Sequence, residues 1–392
     1  MMKVLWITSA YPSDSQPGSG VFHETQVQAL RSLGVDVTVI CPVPRSTAFI
    51  RPFRNVDKRY KDIPSKYQRK GVMVYRPYYL ALPGQLRWAQ PDKRIAAAVL
   101  KTIEDHELAP DLIHAHFAMP SGGAARIVAA EKGLPWILTL HGSDVNVYPH
   151  YSSSAKRAFL QSVKMADSVL AVAGNLQRKT KELAGRESSV LPIGIDLSQF
   201  QQPDQSKQQM RRVLGLPVDK KIITFIGRLT EAKGVFELAQ ALEFLSNDVA
   251  IVFVGDGPAK EKLSRNPEFK NRLFIAGQVD NAKVRDYLFA SDIFALPSYT
   301  EGMPTVVIEA IALKIPVICT AVGGVPELFG DHRDLLIETK SVSSLVQRIH
   351  DIFNRNLYTP RILQDLYEHI QKNYHAHTNA IQLKEIYIKQ LN

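Results

Sequence analysis

Glu301 and Glu309 stand eight residues apart, the first in a small polar turn and the second in the apolar-patterned stretch beyond it. The turn follows an apolar run, Ile293-Phe294-Ala295-Leu296, and contains Glu301, Gly302, Met303, Pro304 and Thr305. Pro304 suits the first turn of a helix, where its missing N–H would be unpaired anyway. A helix start offers unpaired N–H groups and the positive end of a dipole, which bind anions, phosphate above all. Two carboxylates beside such a point cannot both ligate phosphate; they are better suited to accepting hydrogen bonds from hydroxyls. Phosphate flanked by hydroxyls describes a nucleotide sugar.

A second loop offers cations. Gly227-Arg228-Leu229-Thr230-Glu231-Ala232-Lys233-Gly234 follows one apolar run and opens a helical one. Arg228 supplies a rigid fork for a diphosphate and Lys233 a movable point charge; the bland alternative is two solvated cations. Gly255 and Gly257, in Gly255-Asp256-Gly257-Pro258, permit a ligand to approach the backbone or simply make a tight turn. Gln278 and Val279 end another strand-like run, where backbone groups could pair with a base edge. Gly18 and Gly20, in Pro17-Gly18-Ser19-Gly20, could admit a phosphate or form a flexible turn. His141 closes the run Leu138-Thr139-Leu140 and precedes a glycine, a placement suited to general acid–base or positioning work. His114 and His116 fall on one face of a strand end. A zinc site from His114, His116 and His141 is conceivable, but no HExxH or cysteine cluster supports it.

These residues need strands to hold them. Apolar runs at Val4–Thr8, Val35–Ile40, Val72–Tyr75, Asp111–His114, Trp136–Leu140, Ser168–Val172 and Val190–Ile193 alternate with helical patterns, among them one through Val27, Leu30 and Leu33. A second series runs through Ile222–Ile226, Ala250–Val254, Leu273–Ile275, Ile293–Leu296 and Pro316–Thr320, with a short strand at Leu335–Ile337. Strands alternating with helices imply parallel βαβ units covered on both faces. The fold class is therefore α/β, with two Rossmann-like doubly wound domains facing a central cleft. The domains are set at 1–197 and 211–365. A glutamine-rich stretch at 198–210 reads as the linker, and 366–392 as a helical segment returning to the first domain.

The chain has 392 residues, enough for two cores, and an ordinary 45% hydrophobic content. Cys41 and Cys319, each after an apolar run, read as buried reduced thiols rather than a disulfide. The first residues lack the pattern of a signal peptide, and no apolar run nears the roughly 18–20 residues that span a bilayer. The net charge of +10 favours anionic partners. It concentrates between Arg45 and Lys70, where nine basic residues stand against Asp57 and Asp62, with Phe49, Ile50, Phe53 and Tyr60 interleaved. That stretch reads either as a solvated face or as a patch for an anionic membrane surface. Nucleic acid is not an expected partner, since no recognised binding motif is present.

Taken together, these residues resemble the retaining GT-B glycosyltransferases of family 4. The resemblance runs over essentially the whole chain. It is carried by Gly18-Ser19-Gly20, His141-Gly142-Ser143-Asp144, Arg228 with Lys233, Gly255-Asp256-Gly257-Pro258, and Glu301 with Glu309. It implies that Arg228 and Lys233 neutralise a donor diphosphate, that Glu309 binds ribose hydroxyls, and that Glu301 binds the donor sugar. It further implies that the Gly302–Thr305 amides hold phosphate or sugar, that His141 lies near the reacting carbon, and that Gly20 lies near the diphosphate. The implied reaction moves a sugar from a nucleoside-diphosphate sugar, a UDP-sugar above all, to a lipid-linked or polysaccharide acceptor in cell-wall or surface polysaccharide synthesis. The enzyme would need no metal or cofactor and would be cytoplasmic or peripheral on the inner membrane face. The alternatives are a UDP-sugar 2-epimerase and a non-catalytic nucleotide-sugar-binding protein.

Overall fold

A computed structural model describes residues 1–45, 63–82, 84 and 90–392. They form two compact units: Met1–Ile193 with Ala376–Asn392, and Gly194–His375.

In the first unit the apolar runs become β1 (Lys3–Ile7), β2 (Asp36–Ile40), β3 (Val43–Arg45), β4 (Lys66–Arg69), β5 (Val72–Tyr75), β6 (Tyr78–Leu80), β7 (Leu112–His116), β8 (Trp136–Leu140), β9 (Ser168–Ala171) and β10 (Ser189–Val190). Eight of these make one sheet in the order β10-β9-β8-β7-β1-β2-β5-β4, and β3 pairs with β6 separately. The large sheet is parallel except for the antiparallel β4–β5 pair. Chain order reverses beside β1, between β2 and β7, which is where open α/β sheets leave a crevice at their carboxyl ends. The run expected at Val190–Ile193 pairs only through Ser189–Val190.

The helix Val21–Ser32 buries His23, Val27 and Leu30. Across them lies the last helix, Ala376–Leu391, which places Ala380, Leu383 and Tyr387 in the same core as Trp6 and Leu30. Burying Leu383 contributes about 2 kcal/mol. The expected C-terminal segment is thus split: Pro360–Asn373 belongs to the second unit, and only Ala376 onward joins the first.

The second unit contains β11 (Lys221–Ile226), β12 (Val249–Val254), β13 (Leu273–Gly277), β14 (Ile293–Leu296) and β15 (Val317–Cys319), in the order β13-β12-β11-β14-β15, all parallel. Every residue of β12 is buried, as a strand covered on both faces requires. The direction of winding reverses between β11 and β14. The run at Leu335–Ile337 is a 3₁₀ turn, Arg333–Leu335, followed by one bridge between Ile337 and Thr320.

The expected linker at 198–210 is instead part of the second unit. Ser206 and Gln209 form a reciprocal capping box that starts a helix at Lys207, and Met210 and Arg211 are buried. Arg211 donates to Asp292 Oδ2 at 2.7 Å and to the Ala290 carbonyl at 2.9 Å, fastening the stretch down.

Of the basic stretch, Arg51, Arg54, Lys58, Arg59 and Lys61 lie outside the described residues, as do its aromatics. Arg69 and Lys70 are described, and both grip buried Glu24, at 2.5 and 2.8 Å. Their charge is therefore at least partly structural.

Candidate functional site

In the second unit the reversal brings two loops together. The loop after β11 makes a 3₁₀ turn, Glu231–Lys233, and the loop after β14 runs through Pro297–Pro304. Tyr299 N donates to the Ala232 carbonyl at 2.8 Å, and Lys233 Nζ reaches Glu301 Oε1 at 2.6 Å. The same oxygen accepts from the Ser298 hydroxyl at 2.6 Å. Gly234 makes this approach possible: its φ is +69°, and a Cβ there would stand 2.0 Å from the Pro297 carbonyl oxygen. Any other residue would force the loops apart. On the far side Gly324 N donates to the Gly302 carbonyl at 2.7 Å. Buried Ser298 is itself held through its carbonyl by the Thr320 hydroxyl.

The helix after the turn is Thr305–Ala312, capped by Pro304 at φ −78°, ψ 105°. Pro304 therefore stands just before the helix rather than in its first turn, because its ψ is extended. The amides of Gly302, Met303, Thr305 and Val306 have no hydrogen-bond acceptor among the described residues. Those of Thr305 and Val306 are orphan donors of a helix start, and those of Gly302 and Met303 belong to the loop before it. Glu309 lies one turn further in and is buried; desolvation raises its carboxyl to about 7, while the Thr305 hydroxyl donates to it and pulls the other way.

Arg228 follows β11 at the same reversal but is exposed, and it has no ion-pair or hydrogen-bond partner among the described residues. Only Lys233 of the two cations is drawn to the carboxylate. The Gly255–Gly257 turn packs on the protein's own backbone: Gly255 N donates to Gly277 O at 2.7 Å and Leu229 N to Asp256 O at 2.9 Å. A Cβ at Gly255 would stand 1.9 Å from the Gly227 carbonyl oxygen and one at Gly257 2.3 Å from that of Leu229, so the turn's own packing already requires glycine at both. Gln278 and Val279 follow the end of β13, with Gln278 exposed.

The first unit has its own cluster at its own reversal. His141 follows β8, and buried Asp144 organises the turn after it, accepting from the amides of Ala118 (3.0 Å), His141 (3.1 Å) and Gly142 (2.8 Å). Burial nonetheless leaves the Asp144 carboxyl above its usual range. His141 Nε2 lies 3.0 Å from His116 Nδ1. His23 meets both rings edge-on, with centroids 4.5 Å and 5.3 Å away. Burial, then the neighbouring rings, holds His116 and His141 well below the ordinary imidazole value, and burial lowers His23 to about 4. All three are neutral at pH 7.

His114 does not belong with them. Its Nε2 is 2.7 Å from Thr139 Oγ1 and its Nδ1 is 2.6 Å from the Tyr387 hydroxyl. Trp6 Nε1 can only donate, and it donates to that hydroxyl at 3.2 Å. Tyr387 must then donate to Nδ1, which puts the His114 proton on Nε2. The histidine trio conceivable from the sequence is thus corrected: His23 takes the place of His114. Gly20 caps the helix Val21–Ser32 at φ 74°; Gly18 lies in the turn before it.

Comparison with known proteins also divides the chain in two. A Glycosyltransferase Family 4 profile matches residues 18–199, and a Glycosyl transferases group 1 profile matches residues 206–373. TuaC of Bacillus subtilis (strain 168), a protein assigned to teichuronic acid biosynthesis as a glycosyltransferase, is 54% identical over 387 residues, covering 98% of each chain. The chain belongs to the family 4 glycosyltransferases. The N-acetyl-alpha-D-glucosaminyl L-malate synthase of Bacillus anthracis is 27% identical, over 83% of this chain and 81% of its own. Among solved structures, sucrose-phosphate synthase from Thermosynechococcus elongatus superposes with a TM-score of 0.79 at 18% identity, over 99% of both chains. Anabaena HepE in complex with UDP-glucose superposes at 0.74 and 19%, over 99% of this chain and 100% of its own. The fold is GT-B, two Rossmann-like domains, and the enzyme is a hexosyltransferase.

Several roles in this glycosyltransferase escaped the sequence reading. Ser298 holds Glu301 and Thr320 holds the Ser298 carbonyl, while Asp144, named there without a role, holds the His141 turn. His23 had a usable signal: with Val27 and Leu30 it follows the i, i+4, i+7 spacing of the helix's inner face. Nothing in the sequence marks Thr320 as a partner of a loop 22 residues away.

Proposed function

We propose that the enzyme moves a hexose or hexuronic acid from a UDP-sugar to a lipid-linked saccharide, with retention, in the synthesis of teichuronic acid or a related wall polysaccharide. The observation that carries this reading is the meeting of Lys233, Glu301 and a set of free amides where the winding of a Rossmann-like unit reverses. Similarity to TuaC supports the pathway, and the HepE complex with UDP-glucose supports the donor class.

In this reading Lys233 and Arg228 neutralise the donor diphosphate and the Gly302–Thr305 amides hold phosphate or sugar. Glu301 accepts from the sugar hydroxyls and Glu309 from the ribose. Gly255, Gly257, Gln278 and Val279 line the nucleotide end, while His141 is assigned to the reacting carbon and Gly18 with Gly20 to the diphosphate. The acceptor oxygen bonds to the anomeric carbon on the face from which the diphosphate leaves, and a departing phosphate oxygen takes the acceptor proton. Cations and amides stabilise the charge that develops on the leaving group. No metal is called for at that point. The stretch Arg45–Lys70 would hold the enzyme to an anionic membrane surface at the cytoplasmic face, where lipid-linked acceptors lie.

The test is a panel of UDP- and GDP-sugars. A true donor should raise the melting temperature by mass action. With a lipid-linked acceptor it should then yield free UDP and a product whose anomeric configuration matches the donor's by NMR. Isomerised donor without acceptor would instead mark an epimerase. Tight binding with no turnover on any acceptor would mark a binding protein.

A further inference from the structure

The Glu301 carboxylate is fastened at one oxygen and open at the other. Oε1 accepts from Lys233 Nζ and from the Ser298 hydroxyl, each at 2.6 Å. Oε2 has no hydrogen-bond partner among the described residues. The two donors differ in kind. Lys233 reaches in on a long, flexible stem and its side chain is 30% exposed. Ser298 is wholly buried, and the Thr320 hydroxyl at the end of β15 donates to its carbonyl. The backbone around Glu301 is confined as well. Gly323, at φ +59°, lies so close that a Cβ there would stand 2.1 Å from the Glu301 carbonyl oxygen. The Tyr299 hydroxyl donates to Glu237 on the helix Val235–Ala241.

We infer that Ser298 is the positioning residue of the sugar subsite: it keeps Oε1 turned inward, so that Glu301 meets the donor sugar through Oε2 alone. This role presupposes the proposed transfer and adds to it a residue that never touches the donor. Once the diphosphate has drawn Lys233 away, the Ser298 hydroxyl is the donor that remains on Oε1. Without it the carboxylate turns about its terminal torsion, which for Glu is broad and roughly two-fold, and presents either oxygen. A hydrogen bond to a charged group is among the stronger ones, and a group held in place acts on its substrate better than one that must first be ordered. Ser298 thus fixes the direction from which a sugar hydroxyl must approach, and with it which hydroxyl is read.

The experiment uses the full chain and Ser298→Ala. UDP affinity, measured by calorimetry, should stay within about twofold, because a site that reads only the sugar is independent of the nucleotide contacts. With the UDP-sugar that the wild type turns over, kcat/KM should fall about tenfold or more. Donors lacking single sugar hydroxyls complete the cycle: the variant's loss should vanish for the donor whose missing hydroxyl Glu301 accepts from. A merely loosened fold would weaken UDP too and would show the same loss with every deoxy donor. Circular dichroism verifies each fold. Thr320→Val frees the Ser298 carbonyl but leaves its hydroxyl; it should give a smaller loss of the same selectivity, and it decides if Ser298→Ala does not fold. A wild type that turns over no UDP-sugar would bring down the transfer reading and this role with it. An active wild type matched by Ser298→Ala, or a variant weakened equally toward UDP and every donor, would overturn the role of Ser298 and leave the transfer reading standing.

Discussion

Lys233 Nζ and Glu301 Oε1 lie 2.6 Å apart although 68 residues separate them in sequence. One comes from the loop after β11 and the other from the loop after β14. The ammonium that would meet a diphosphate is engaged by the carboxylate that would meet a sugar, so in the proposed reading a donor divides the pair.

Lys233→Ala should therefore abolish transfer without unfolding the protein. Lys233 sits on a loop outside the sheet core and Glu301 keeps the Ser298 hydroxyl as a donor, so the fold should survive loss of the pair at some cost in stability. Removing a group that stabilises developing charge in an enclosed site lowers the rate on the order of 10²–10³. Steady-state kinetics beside circular dichroism give the answer, and near-normal turnover in a folded variant would refute the phosphate assignment.

Glu309 predicts a pH dependence of stability. Burial raises its carboxyl from 4.5 to about 7. Between those values the unfolded chain has released its proton while the folded chain keeps it. This group's contribution is thus most favourable below pH 4.5, declines as pH rises toward 7, and ends about 3 kcal/mol lower. Melting curves of the wild type and Glu309→Gln across pH 4–8 should diverge, with the variant gaining relative stability as pH rises. Parallel curves would contradict the buried-acid reading.

Tyr387→Phe should destabilise the protein by about 1–3 kcal/mol, since Trp6 Nε1–H and His114 Nδ1 would both lose their buried partner. Urea melts measure this; an unchanged midpoint would mean that the two groups find other partners.

Asp144→Asn tests how the His141 turn is held. An amide has one accepting oxygen where the carboxylate has two, and its NH₂ would face backbone donors. We expect a loss of about 2 kcal/mol in stability. If His141 acts on the donor sugar, turnover should fall while donor affinity stays within a few-fold.

The membrane reading of Arg45–Lys70 predicts salt-sensitive cosedimentation with vesicles rich in anionic lipid. Neutralising Arg51, Arg54, Lys58 and Arg59 together should remove most of the binding. Equal binding by that variant would assign the affinity elsewhere.

Much of this architecture was legible because its strands are buried on both faces and read as unbroken apolar runs. β12 and β14 are examples, and their alternation with helices identified parallel winding. The grouping of Lys233 with Glu301 followed from the same logic, since both end strands that flank the reversal. The glutamines of 198–210 are exposed, as their polarity suggested, but the helix that Ser206 and Gln209 start within that stretch was not read from it. Arg228 was grouped with Lys233 because both stand in the loop after β11, while its exposure depends on where neighbouring loops end. Tyr387 could not be foreseen as a partner of Trp6 and His114. That contact joins residues 381 and 273 positions apart, and no local pattern encodes it.

The last helix has a consequence for how the chain is made. Ala380, Leu383 and Tyr387 finish a core whose other members are encoded in the first half. On the ribosome, residues up to Ile193 emerge early and then wait, with one flank of their interior uncovered, until all of the second unit has been translated. The nascent amino-terminal half is thus exposed to chaperones and proteases for that whole interval, and a premature stop codon that spares every candidate catalytic residue would still leave it unfinished.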